Sequence, residues 1–278
     1  MSEFKSLHMK RDSEIPKHRQ LIKEAIERDL ADDTDIIAVF YGGSIGNKDS
    51  NNYSDLDLRI VVTKEGFEKY RENKRERAAK WGNVLFYEDV PYTNYSTAHY
   101  DSFVKVDTFY YRLKDILPSI WLRNIEIVYD SSEMLEDIVK KSRTLIFVPS
   151  SEDVELWRTK FFAHLHETYR RVMRGEVYYA LDCLDNLRFL MATAWYMEAG
   201  IQPNALGDWA KIEGDRSQLQ GWQLTELAKW SCGREPSEIM GVMKMMIPEF
   251  KRVHKSLCDE VGMDENTDWV DEVLYKVF

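Results

Sequence analysis

Asp55 and Asp57 stand two residues apart in the run Asp55-Leu56-Asp57-Leu58-Arg59-Ile60. On a strand, alternation projects both carboxylates and Arg59 from one face and gives the other to Leu56, Leu58 and Ile60. Like charges held that close repel, and burying them is costly unless a cation compensates. Mg²⁺ suits such a pair, because it takes a few carboxylate oxygens and leaves its other positions to water and substrate phosphate. Just upstream, Gly42-Gly43-Ser44 reads as a turn whose N–H groups and hydroxyl can approach phosphate oxygens, since glycine places no Cβ in the way. Ten residues separate Ser44 from Asp55, room for a short helix or loop that returns the chain to an adjacent strand. A two-metal phosphoryl-transfer site calls for a further acidic ligand. Asp107 supplies one, alternating with Lys105 and Phe109 against Val104, Val106 and Thr108. Plainer readings stand beside these. The aspartates can line the wet face of an edge strand paired with Arg59, Asp107 can form a salt bridge with Lys105 or Arg59, and Ser44 can be an ordinary turn former.

To hold these residues the chain needs adjacent strands and a tight turn, and its patterning provides both. Ile15, Leu21, Ile22, Ala25, Ile26 and Leu30 predict a helix over 13–30. A strand over 35–41 runs into the glycines, and a second covers 55–63. The charged segment 64–81 reads as helical with a solvated basic face, and strands follow within 83–90, 102–111 and 124–130. Pro149 and Ser150 then break the pattern, and Ser151-Glu152-Asp153 has the composition of a helix start. Helices are predicted at about 153–174, 176–199, 204–213, 216–230, 236–261 and 267–277, with Gly200, Pro203, Gly214, Gly233 and Pro236 between them. The expected class is α+β: a small mixed β-sheet with helices over 1–150, then an all-helical bundle over 151–278, the active site lying in the cleft between.

Gly43-Ser44, the ten-residue spacer, Asp55-Leu56-Asp57-Leu58 and a strand-borne Asp107 together resemble the nucleotidyltransferase superfamily of DNA polymerase beta. The helical half carries LDNLRFLMATAWYMEAGIQPNALGDWAKIEG, including Asp208-Trp209-Ala210, and is similar to the helical domain of two-domain aminoglycoside adenylyltransferases. The resemblance implies a two-ion Mg²⁺ site at Asp55 and Asp57, with Asp107 as third ligand or general base. It implies a triphosphate held at Gly42, Gly43 and Ser44, with ATP or another nucleoside triphosphate as co-substrate. A substrate hydroxyl would attack the α-phosphate and release pyrophosphate.

Asp182 and Asp185 share one face of a helix, and Arg188 continues it. They form either a polar stripe paired with arginine or a pair of carboxylates that meets the amino groups of a cationic, hydroxylated acceptor such as an aminoglycoside. His164 and His166 are two apart on a helix, so they face different ways and cannot chelate as a His-x-x-x-His pair does. Trp195, Trp209 and Trp222 read as packing.

With 44% hydrophobic and 13% aromatic residues the chain can bury a sizeable core, which excludes global disorder. A net charge of −10 weighs against nucleic-acid binding and suits a metal or a cationic ligand. Cys183, Cys232 and Cys258 are widely spaced, which fits a reducing compartment and no zinc ribbon. The N-terminal twenty residues lack the apolar core of a signal peptide and no run is long enough to span a membrane, so a cytoplasmic protein is expected. The leading function is Mg²⁺-dependent transfer of AMP from ATP to a small-molecule hydroxyl. The alternatives are the same chemistry on a protein or RNA, as in antitoxin-type relatives, and a non-catalytic nucleotide-sensing protein. Oligomeric state is not legible.

Overall fold

The alternation read in the first half becomes a six-stranded sheet. The computed structural model describes residues 6–278, so the first five residues of the N-terminal stretch lie outside the described residues. Two compact units divide the chain, one ending at Leu145 and the other spanning Ile146–Phe278.

In the first unit, α1 (Met9–Ala31) leads to β1 (Ile36–Tyr41), a short α2 (Gly43–Asn47) and β2 (Leu56–Val62). Two short helices follow, α3 (Phe67–Glu72) and α4 (Lys74–Ala78), in place of the single helical segment expected. Then come β3 (Val84–Asp89), β4 (Tyr95–Tyr100), β5 (Lys105–Arg112), β6 (Glu126–Asp130) and α5 (Met134–Thr144). The strand order is β3-β4-β5-β2-β1-β6. Only the β2–β5 pair is parallel, and every other neighbour is antiparallel. The sheet is thus mixed, as expected. β2 lies between β1 and β5, which rules out the edge-strand reading of Asp55 and Asp57.

The two sheet faces are covered unequally. Leu56, Leu58, Ile60, Val106 and Tyr110 pack with Ile15, Ile22 and Ile26 of α1 and with Phe67 and Tyr70 of α3. On the other face a smaller cluster joins Ala38, Phe40 and Val61 to Leu135 and Ile138 of α5. Asp57 and Asp107 alternate with the first set and so belong to the thinly covered face.

The second unit is helical: α6 (Ser151–Met173), α7 (Val177–Glu198), α8 (Gly221–Lys229), α9 (Pro236–Val261) and α10 (Thr267–Tyr275). α6 starts at Ser151, where its composition predicts, and the cap is the preceding Ser150. Its hydroxyl accepts from the Asp153 N–H at 3.1 Å, and its own N–H donates to the Asp153 carboxylate at 2.9 Å. The core is aromatic, with Phe161 stacked on Phe250 at 4.1 Å and Trp195 on Trp230 at 5.5 Å. The helix expected over 204–213 does not form. The Asn204 amide donates to the carbonyls of Asp208 and Ala210, at 2.9 and 2.7 Å, and the Asp208 carboxylate accepts from the Ala210 N–H. These side chains take backbone groups that a helix would use. Gly207, Lys211 and Gly214 adopt φ of +82°, +62° and +80°, which turns the chain instead. The expected helix at 216 likewise begins only at Gly221.

His254 is buried in this core, parallel to the Phe250 ring at 5.6 Å and 3.4 Å from the Arg158 guanidinium. Burial first, and the Arg158 charge second, hold its pKa below the ordinary histidine value. His164 is lowered too, by burial and then by Lys160. The folded unit therefore binds these protons less readily than the unfolded chain. The stability they contribute is complete above about pH 6.5 and is lost as pH falls below it. Near-ultraviolet circular dichroism should show the thermal midpoint falling between pH 7.5 and 5.5, more shallowly in His254→Gln.

Candidate active site

The parallel ladder between β2 and β5 fixes the centre of the site. Asp57 and Asp107 are register partners in it, so both carboxylates rise from the same face of adjacent strands. On the other side of β5, Thr97 of β4 is the partner of Asp107 and its hydroxyl donates to Asp107 Oδ1 at 2.6 Å. Asp55 immediately precedes β2. Lys105, two residues before Asp107 and on its face, joins the outer pair: its ammonium is 2.8 Å from Asp55 Oδ2 and 2.7 Å from Asp107 Oδ2. The salt-bridge reading of Asp107 is therefore realised with Lys105. Arg59 donates from Nη1 to the Asp57 carbonyl at 3.0 Å, lies 3.7 Å from Asp57 Oδ1, and covers the Phe109 ring at 4.8 Å. Phe109 stacks with Tyr95 at 6.0 Å and Tyr111 at 6.5 Å, an aromatic row beside the carboxylates.

Electrostatics follow from this crowding. Burial raises the pKa of the Asp57 carboxyl; Arg59 opposes the rise, and the charges of Asp55 and Asp107 add to it. For Lys105 burial acts downward, but its hydrogen bonds to Asp107 and Asp55 outweigh it and raise the ammonium above its usual range.

The glycine turn is built against Asp57. The Gly42 N–H donates to the Asp57 carbonyl at 2.9 Å, which ties the turn to β2. Gly43 opens α2 with φ of +54°, and a Cβ there would lie 1.7 Å from Asp57 Oδ2. The carboxylate thus rests on the bare Cα of Gly43, a contact no other residue permits. Ser44 is buried and its hydroxyl has no hydrogen-bond partner among the described residues. The ten-residue spacer is α2 followed by a loop, as its length allows. Buried Arg19 of α1 holds that loop, donating to the carbonyls of Asn51 at 2.9 Å and Ser54 at 2.8 Å.

These residues fit a divalent cation with its phosphate ligand. The carboxylates offer hard oxygen donors, the Gly43 turn lies directly against Asp57, and the Ser44 hydroxyl is an unspent polar group. Among the described residues no three His, Cys, Asp or Glu side chains are already arranged as a metal site. In this arrangement the compensating charge comes from Lys105 and Arg59.

Lys105 was legible in relation to Asp107, since alternation puts the two on one face, but its bridge to Asp55 depends on the pairing of strands distant in sequence. Thr97 was out of reach because its strand, Tyr-Ser-Thr-Ala-His-Tyr, is too polar to read as one. Arg19 did leave a trace: it occupies a position in the apolar stripe of Ile15, Ile22 and Ile26.

In the helical unit Asp182 and Asp185 are both exposed on α7. Asp185 accepts from Trp209 Nε1 at 3.2 Å and lies 3.6 Å from Arg188, so the arginine-paired stripe exists there. Asp185 lines a cavity of about 470 Å³ with Arg188, Trp209, Glu213 and Cys232. Asp182 is not among its walls. Trp195 is buried, Trp209 packs edge-on to Phe189 at 5.4 Å, and Trp222 packs edge-on to Trp195 at 5.6 Å. His166 donates to the Val273 carbonyl at 3.0 Å, and Glu167 pairs with Arg171 at 2.6 Å, as ordinary helix neighbours do.

No family model matches the chain, and no curated protein matches it. Among solved structures it is similar to an aminoglycoside 6-adenyltransferase from Bacillus subtilis, at 12% identity and a TM-score of 0.42 over 92% of this chain and 97% of that one. It is also similar to a nucleotidyltransferase-like protein from Exiguobacterium sibiricum, at 12% identity and 0.44 over 87% and 78%. A third similarity is to the CD-NTase CdnG of Bradyrhizobium diazoefficiens, solved in complex with GTP, at 13% and 0.28 over 94% and 92%. At such identities and scores no activity passes from them to this chain. Among the described residues no helix is long and apolar enough to cross a membrane.

Gly43→Ala should destabilise this unit. It places a Cβ on the Asp57 carboxylate and a side chain at positive φ, which together cost about 1–3 kcal/mol. Chemical denaturation should register that loss.

Proposed function

We propose that the protein transfers a nucleoside monophosphate, AMP from ATP, to a hydroxyl of a small molecule. The observation that carries this reading is the adjacency of Asp57 and Asp107 on one sheet face, with the Gly43 turn packed against Asp57 and the Ser44 hydroxyl unspent. Asp55, Asp57 and Asp107 would hold Mg²⁺, which supplies charge neutralisation at the phosphoryl group and lowers the pKa of the attacking oxygen. The Gly42 and Gly43 backbone and the Ser44 hydroxyl would hold the triphosphate. Asp107, oriented by the Thr97 hydroxyl, would accept the proton of the acceptor hydroxyl as its oxygen bonds to the α-phosphorus and pyrophosphate leaves.

For the acceptor we favour a cationic, hydroxylated molecule of the aminoglycoside kind, which would make antibiotic resistance one physiological role. The exposed carboxylates of Asp182 and Asp185 and the net charge of −10 support it. One observation favours a second reading. Lys105 already neutralises Asp55 and Asp107, as a nucleotide-binding protein without catalysis could require. Incubation with α-labelled nucleoside triphosphates and a panel of aminoglycosides, lincosamides, total protein and tRNA separates the readings. Label in a small cation is expected; label only in protein or tRNA moves the acceptor, and none in any acceptor favours the second reading.

Two sets of variants sharpen the test. Asp55→Asn and Asp57→Asn should abolish transfer while the protein stays folded, and Asp107→Asn should lower kcat by about 10²–10⁴-fold with ATP affinity little changed. Near-normal activity in Asp57→Asn would remove the metal assignment. Asp182→Asn and Asp185→Asn should each raise the acceptor KM by about ten-fold and leave the ATP KM alone, with acceptor binding weakening as salt rises. Normal turnover by the double variant would exclude a cationic acceptor held there and leave nucleotidyl transfer intact.

A further inference from the structure

We infer that Lys105 is the built-in counter-ion of the metal-free site, and that its ammonium and a divalent cation occupy the carboxylates in turn. The inference rests on the nucleotidyl-transfer reading and concerns what that reading leaves unexplained: a lysine inside the metal-binding group.

The geometry sets the two occupants in competition. Lys105 Nζ lies 2.8 Å from Asp55 Oδ2 and 2.7 Å from Asp107 Oδ2, so a metal ligated by these two residues would share their carboxylates with the ammonium. A cation placed at the same oxygens would stand close enough to the ammonium for strong like-charge repulsion. Lys105 can withdraw. Its side chain is 38% exposed, and it is a point charge on a flexible stem, unlike the planar guanidinium of Arg59, which is held at the Asp57 carbonyl and over Phe109. The backbone of Lys105 is meanwhile fixed, paired with His99 in the β4–β5 ladder. Anchoring the stem and freeing the head is the arrangement that lets one residue leave without disturbing the strand that carries Asp107.

Two consequences follow. In the metal-free protein Lys105 keeps Asp55 and Asp107 together against their mutual repulsion, so it supports the fold of the site. Toward metal it acts as a competitor, so the affinity of the protein is lower than its three carboxylates alone would give. A lysine that merely braced β5 would show the first effect without the second.

Calorimetric titration of Mn²⁺ into nucleotide-free protein tests this, using wild type, Lys105→Met and Lys105→Gln, with Asp57→Asn to identify the site. Each chain is also melted with and without Mn²⁺. The neutral variants should bind Mn²⁺ about ten-fold more tightly than wild type. Without metal they should melt about 5 °C lower, and Mn²⁺ should recover the difference. Lys105→Gln retains hydrogen bonding to the carboxylates, so it reports should Lys105→Met fail to fold. Equal or weaker Mn²⁺ affinity in the folded neutral variants overturns the role of Lys105 and leaves the transferase reading standing. Absence of Mn²⁺ binding in all chains, or binding unchanged by Asp57→Asn, overturns both.

Discussion

The parallel pairing of β2 with β5 sets Asp57 beside Asp107, and the surrounding charges answer to that adjacency. Two carboxylates on neighbouring strands of a half-covered sheet face need opposite charge nearby. Lys105 and Arg59 provide it, both placed by the same alternation that places the acids. Parallel strands cannot be joined by a tight turn, and here the crossover from Val62 to Lys105 contains α3, α4, β3 and β4. That long excursion also delivers Thr97 to Asp107. The connection demanded by the pairing therefore supplies one of the groups that orient the site.

Much of the first unit was open to reading from sequence because its signals are local. Asp55, Asp57 and Asp107 fell on the expected face, since alternation needs only the strand itself. The glycine turn was recognisable by type, and its reason became visible only with Asp57 packed on the Gly43 Cα. β4 escaped because Ser96, Thr97 and His99 carry little hydrophobic signal, and its place between β3 and β5 comes from pairing. The edge-strand alternative could not be dismissed before the strand order was known, because position in a sheet is a property of partners distant in the chain.

In the helical unit, periodicity located five helices and overreached at 204–213. The segment Asn-Ala-Leu-Gly-Asp-Trp-Ala has helical composition at several positions, but Asn204 and Asp208 bond to nearby backbone, and Gly207 and Lys211 take left-handed conformations. Asp208-Trp209-Ala210, the segment that carries the likeness to the adenylyltransferases, thus belongs to a loop. Its indole reaches Asp185, so the loop shapes the wall of the cavity there. The polar stripe on α7 was legible, and its division was not: Asp185 faces that cavity and Asp182 does not.

Arg19 joins a helix near the N-terminus to carbonyls 32 and 35 residues later. The segment it grips carries a turn of its own at Asn51–Ser54 and no ladder, so Arg19 is what ties that turn to α1. Docking of that helix and the final placement of the glycine turn and Asp55 are coupled through Arg19. The site is thereby a product of non-local closure, and a loosening of α1 would release this loop with it.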